Sequence, residues 1–163
     1  MTATKLTRAA FIAALYAFLA LAFPQFSYAI IQFRLSEALV LLPLLIPEAV
    51  PAIAIGCLLA NLSSPFGIYD ILGGTLCSTL AAWLTWRLRS RRRIAIAAPI
   101  LINSFGVSLY LAYLNRELYF SIVPLIALSE TVVVLGLGLP VVLGTSRALK
   151  LPFIANSSEE KAR

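Results

Sequence analysis

Residues 34–70 read RLSEALVLLPLLIPEAVPAIAIGCLLANLSSPFGIYD, and the way this stretch folds decides the topology of everything around it. It is almost wholly apolar, yet it carries Glu37, Glu48, Asn61 and Asp70, with prolines at 43, 47, 51 and 65. Isolated carboxylates are costly in apolar surroundings, so each marks a position with a purpose. Proline removes a backbone donor and clashes with the preceding turn, so prolines this close together rule out one long straight helix.

The rest of the chain is as apolar. Of 163 residues, 61% are hydrophobic and 12% charged, and the mean hydropathy is +0.94. Soluble domains carry about 25% charged residues, so the composition describes an all-α integral membrane protein. There is no histidine, and Cys57 and Cys77 lie in separate apolar segments. Neither a metal site, nor a bound cofactor, nor a nucleophile–base pair is expected from that inventory. The two cysteines read as small packing residues. The net charge of +6 sits in clusters at segment ends. The block RLRSRRR at 87–93 has no interleaved aromatic residues, so the charge reads as membrane orientation and not as nucleic-acid binding.

Outward from the opening stretch, a first apolar segment covers about 6–23 and stops at Pro24. Lys5 and Arg8 at its start and Ser27-Tyr28-Ala29 after it also resemble a cleaved leader, but a polytopic chain inserts through its first helix, so a retained span is expected. Further spans run over 69–86, 94–113 and 119–145, with Asn115-Arg116-Glu117 as a polar turn. A span needs about 20 residues to cross a ~30 Å core. If residues 37–62 form two short segments turning near Pro47, the chain has six. Lys5, Arg8, Arg87, Arg89, Arg91, Arg92, Arg93, Arg147, Lys150, Lys161 and Arg163 then share one side, leaving Arg34 and Arg116 opposite. With one segment, the arginine block would face away from Lys5 and Arg8, against the positive-inside rule. The sequence therefore predicts a compact six-helix transmembrane bundle over 1–151, with a short, proline-broken second and third segment. Both termini face the cytoplasm, and residues 152–163 form a polar tail.

That topology places Glu37, Asn61 and Asp70 toward the outer side, with Asn103 and Glu130 near mid-depth. Five hydrogen-bonding side chains fall in the outer half, opposite a nearly aliphatic inner half, which predicts a polar pocket opening outward. Each also has a structural reading: interhelical hydrogen bonds for Asn61 and Asn103, and helix caps for Asp70, Glu37 and Glu48. Glu130 has only Ser129 and Thr131 as polar neighbours in sequence, so a functional role is the default there. Carboxylates and amides suit a small planar or cationic solute carrying N–H donors. Aromatic residues near the mouth (Phe26, Tyr28, Phe33, Phe66, Tyr69, Tyr110, Tyr113) suit stacking on a ring or an interfacial belt. In the first segment Ala9, Ala13 and Ala17 recur every fourth residue, with Ala10 and Ala14 as a second row. Small residues at this spacing admit a close helix, either within the bundle or from a partner protein.

The ordered motifs R-x-S-E-A-L, P-E-A-x-P, G-C-L-x-A-N and Y-D-I-x-G-G-T, spanning 34–75, resemble the queuosine-precursor transporter (QueT) family. These proteins are substrate-binding S components of energy-coupling factor (ECF) transporters. The resemblance implies six helices and an outward pocket under the loop after helix one. It implies docking of the alanine motif (Ala9, Ala13, Ala17) on a transmembrane coupling subunit, which works with two cytoplasmic ATPase subunits in a prokaryotic plasma membrane. The chain itself has no phosphate-binding G-x-x-x-x-G-K-[ST] loop, so it is expected to be a non-catalytic subunit. Family ligands are 7-deazaguanines such as preQ0, preQ1 or queuine. For such a ligand, carboxylate chemistry gives the guanine-like edge and the aminomethyl cation to Glu37 and Glu130, in either order, with Asn61, Asp70 and Asn103 expected to support them. An S component for another vitamin or nucleobase, or a non-transport scaffold subunit, would fit the same composition.

Overall fold

The computed structural model describes residues 2–27 and 33–151. Residues 28–32 of the loop after helix one, with the aromatic Tyr28, and the polar tail at 152–163 lie outside the described residues. Every regular element among the described residues is helical. They are α1 (Ala3–Ala22), the one-turn α2 (Pro24–Ser27), a 3-10 helix (Leu35–Leu44), α3 (Ala49–Asn61), a π turn (Tyr69–Gly74) running into α4 (Thr75–Arg87), and α5 (Arg92–Asn115). Last come α6 (Tyr119–Thr131), a second π turn (Val132–Gly138) and α7 (Leu139–Ala148), which together form one continuous helix.

Among the described residues, three helices are long and apolar enough to cross a membrane: Ala3–Ala22, Arg92–Asn115 and Tyr119–Ala148. The opening stretch does break in two. Leu35–Leu44 and Ala49–Asn61 are shorter apolar helices, separated by a turn through Pro47. The first is wound as a 3-10 helix over ten residues, longer than such runs usually are, and its ~2.0 Å rise per residue stretches it further than an α-helix of that length. It is closed in on every side: Ser36 through Pro43 are all buried. The thinner 3-10 winding fits such an enclosed position. Pro24 opens α2 instead of merely ending α1, because the first helical position needs no backbone donor. Arg116, in the left-handed region at φ 55°, closes α5, and Glu117 N–H then donates back to the Ala112 carbonyl at 3.1 Å.

The most extensive packing is of α1 against α3, α5 against α6 and α4 against α5. One end of the molecule gathers Arg8 and Phe11 of α1, Ile46 of the turn before α3, and Ala148 and Leu149 at the end of α7 around a shared groove. Arg8 also lies 4.0 Å from Glu48 there, so Glu48 pairs across to α1 and makes no side-chain cap on α3. Phe23, Phe26, Phe33 and Leu35 meet where α1 ends and the 3-10 helix begins. The core is aliphatic, built on Ile12, Tyr16, Leu39, Leu41, Ile53 and Val134. Large apolar residues such as Leu6, Phe18, Leu109 and Phe120 point outward, as a lipid-facing surface would have them.

Two glycines set the closest approaches. A Cβ on Gly56 of α3 would lie 2.6 Å from the Ala13 carbonyl oxygen of α1, and one on Gly106 of α5 would lie 2.5 Å from Cys77 Sγ of α4.

Candidate functional site

Glu37 is the centre of one polar cluster. As the third residue of the 3-10 helix, in its first turn, it carries its side chain to the junction of α1, α4 and α5. Tyr16 of α1 donates its hydroxyl proton to Oε1, Ser78 of α4 donates to the same oxygen at 2.7 Å, and Asn103 of α5 donates Nδ2–H to Oε2 at 3.2 Å. Three helices thus converge on one carboxylate, which suits an acceptor-only group buried in apolar surroundings. Glu130 on α6 is close enough to Asn103 and to Glu37 to interact electrostatically with both. Glu37, Asn103 and Glu130 are 1%, 2% and 5% exposed, so this is an enclosed carboxylate–amide–carboxylate array. Glu130 Oε2 and Asn103 Oδ1 are buried without a hydrogen-bond partner among the described residues.

Asn61 and Asp70 fall in a second, adjoining cluster. Asp70 is not a helix cap; it sits in the first π turn. It accepts from Ser64 Oγ at 2.5 Å and from the Tyr110 hydroxyl, and lies 3.5 Å from Arg34 Nη2. Arg34 and Asp70 are both buried, so this ion pair is internal. Asn61, the last residue of α3, donates Nδ2–H to the Asp70 carbonyl at 2.8 Å and to Thr75 Oγ1 at 3.1 Å. Cys57 bridges the clusters: its sulfur is 3.3 Å from Asn61 Nδ2 and 4.0 Å from Arg34 Nη1, beside Tyr16 and Ser78. Close approach needs glycine here, since a Cβ on Gly74 would meet Asn61 Nδ2 at 3.1 Å and the Tyr110 hydroxyl at 3.2 Å.

The five polar residues singled out from sequence therefore lie in two touching groups, three around Glu37 and two around Asp70. Tyr16, Ser78, Ser64 and Thr75 complete these groups; Thr75 closes the Y-D-I-x-G-G-T motif, and the other three carry no sequence signal of their own. Tyr16 comes nearest to one, as the single polar group on the buried Ile12–Ala13–Tyr16–Ala20 stripe of α1. Tyr110, read from sequence as a ring-stacking or interfacial-belt residue, hydrogen-bonds through its hydroxyl to Asp70 inside the bundle. Both π turns adjoin the clusters, one carrying Asp70 and the other beginning two residues after Glu130. Such turns widen a helix locally and recur at functional sites.

The alanine rows separate by face. Ala13 is buried against α3 at Gly56, and Ala9 and Ala17 are partly buried. Ala10 and Ala14 are exposed, in line with Leu6 and Phe18.

Comparison with curated proteins gives no match, and comparison with solved structures gives none. The family model described as QueT transporter matches residues 6–147. Together with three helices able to cross a membrane, that match makes this an integral membrane protein of transport and not an enzyme. The match takes in all five polar residues and most of the helical chain: the protein belongs to the QueT transporter family.

Proposed function

We propose that the protein is the substrate-binding S component of an ECF-type importer, capturing a 7-deazaguanine queuosine precursor (preQ0, preQ1 or queuine) from outside the cell. The observation that carries this reading is the enclosed Glu37–Asn103–Glu130 array at the meeting point of α1, the 3-10 helix, α4, α5 and α6, within a chain of the QueT family. A guanine-like edge presents N1–H and 2-amino donors side by side, and a carboxylate accepts both. Arg34, Asn61 and Asp70 form the supporting wall.

In this reading all six helical segments pass through or into the bilayer. The short second and third are tolerated because neighbouring helices cover their backbone, and both termini face the cytoplasm with eleven of the thirteen basic residues. Ligand enters from the outer side, and movement of a transmembrane coupling subunit, driven by two partner ATPases, carries it inward. The exposed Leu6–Ala10–Ala14–Phe18 stripe of α1 is the surface offered to that subunit; small residues between two large ones let a partner helix approach.

A thermal-shift titration of the purified protein in detergent, with preQ0, preQ1, queuine, guanine and a vitamin panel, tests the proposal. Ligand at 100 times Kd should stabilise the protein by about 2.7 kcal/mol. Stabilisation confined to the deazaguanines supports the reading. Stabilisation by a vitamin alone keeps the transporter and replaces the substrate, and no response to any compound removes the substrate-binding role.

A further inference from the structure

Resting on that reading, we infer that the two carboxylates have different jobs: Glu37 is held by the protein as a positioning group, and Glu130 with Asn103 reads the donor edge of the ligand. Three protein donors already occupy Glu37. Tyr16 and Ser78 bind Oε1, and Asn103 Nδ2–H binds Oε2. Further donors would have to compete with hydroxyl and amide groups from three helices.

Glu130 is placed differently. Its Oε2 is buried with no partner among the described residues, and so is Asn103 Oδ1. The Asn103 amide is fixed in orientation because its nitrogen must face Glu37, so its oxygen is turned away as an acceptor. Two buried acceptors on neighbouring side chains, neither satisfied within the described residues, carry a desolvation cost that a pair of adjacent N–H donors removes. A lone hydroxyl would satisfy one and leave the other. The ligand class is therefore a planar ring with two neighbouring N–H donors, and Glu130 is the residue that selects it. Glu37 acts on the ligand through Asn103, by holding the amide in the orientation that presents its oxygen.

The test compares a 7-deazaguanine with its analogue lacking the 2-amino group, on the full-length protein in detergent. Affinities are measured for wild type, Glu130→Gln and Glu37→Gln, with the ligand-free melting temperature recorded for each. In wild type, loss of the 2-amino group should weaken binding by at least about tenfold, the scale of one charge-assisted hydrogen bond. Glu130→Gln should abolish that discrimination, while Glu37→Gln, whose amide oxygen can still accept from Asn103, should weaken it by less and melt at a lower temperature without ligand. If Glu130→Gln discriminates as wild type does, or wild type does not discriminate at all, the assignment is overturned while substrate binding stands. A Glu130 that keeps its proton and donates to Asn103 Oδ1 within the protein would give that result. Glu130→Asp, which keeps the charge one methylene further back, serves if Glu130→Gln does not fold. Reduced discrimination with unchanged ligand-free melting supports the assignment, and unchanged discrimination overturns it. Wild type binding neither compound overturns the proposed function and this inference with it.

Discussion

The carbonyl oxygen of Ala13 on α1 and the Cα of Gly56 on α3 are so close that a methyl group added to Gly56 would lie 2.6 Å from that oxygen, and 2.8 Å from Tyr16 Cβ. Both obstacles sit on the backbone or at the root of a side chain, so neither can swing aside. Gly56→Ala should therefore push α1 away from α3 and destabilise the protein by about 1–3 kcal/mol, the range for overpacking a filled interior. A melting curve in detergent reads this directly. A variant as stable as wild type would mean that the two helices slide past each other at little cost.

Ala14 lies one position on from Ala13, on the outer face of α1. Ala14→Trp should leave the ligand-induced thermal shift unchanged and prevent co-purification with the coupling subunit, along with uptake in cells. Ala13→Trp, by contrast, should lose stability and binding together, because its methyl is buried against α3. If the Ala14 variant still assembles and transports, the docking surface lies on another helix.

Tyr16 is fully buried, and its hydroxyl donates to Glu37. Tyr16→Phe keeps the ring and removes the donor, leaving the carboxylate with Ser78 and Asn103. A hydrogen bond to a charged acceptor contributes about 1.5–3 kcal/mol, so the ligand-free protein should lose stability on that scale. Ser78→Ala should act in the same direction. Equal stability of wild type and Tyr16→Phe would show that water replaces the phenol at no cost, and that Glu37 is less enclosed than its burial implies.

The break in residues 34–70 was legible because proline chemistry is local: a missing N–H and a steric clash act wherever the residue stands. Glu37, Asn61, Asp70, Asn103 and Glu130 stood out because each interrupts an apolar run. Their division into two clusters was not legible, since it depends on which helices touch. Tyr16 and Ser78 escaped notice for a related reason. Hydroxyl side chains are ordinary in membrane helices, where they also bond to their own backbone as Thr79 and Thr131 do here. The 3-10 winding of Leu35–Leu44 and the π turns at Asp70 and after Glu130 are tertiary outcomes. They follow from how neighbouring helices close around these residues, and apolar periodicity carries no trace of them.

The buried Arg34–Asp70 pair gives the last prediction, and its sign depends on what is left behind. Asp70 accepts from Ser64 and Tyr110 as well as facing the guanidinium 3.5 Å away. Breaking such a pair by removing one member costs about 3–5 kcal/mol, because the other charge stays buried without its counterion. Arg34→Met should thus be strongly destabilising, even though methionine fills similar space. Arg34→Met combined with Asp70→Asn removes both charges and leaves an amide that Ser64 and Tyr110 can still reach. The double variant should recover much of the loss and be more stable than Arg34→Met alone. A double-mutant cycle on melting free energies measures the coupling. Additive losses would mean that Arg34 and Asp70 are each held by other groups, and that the ion pair contributes proximity without energy.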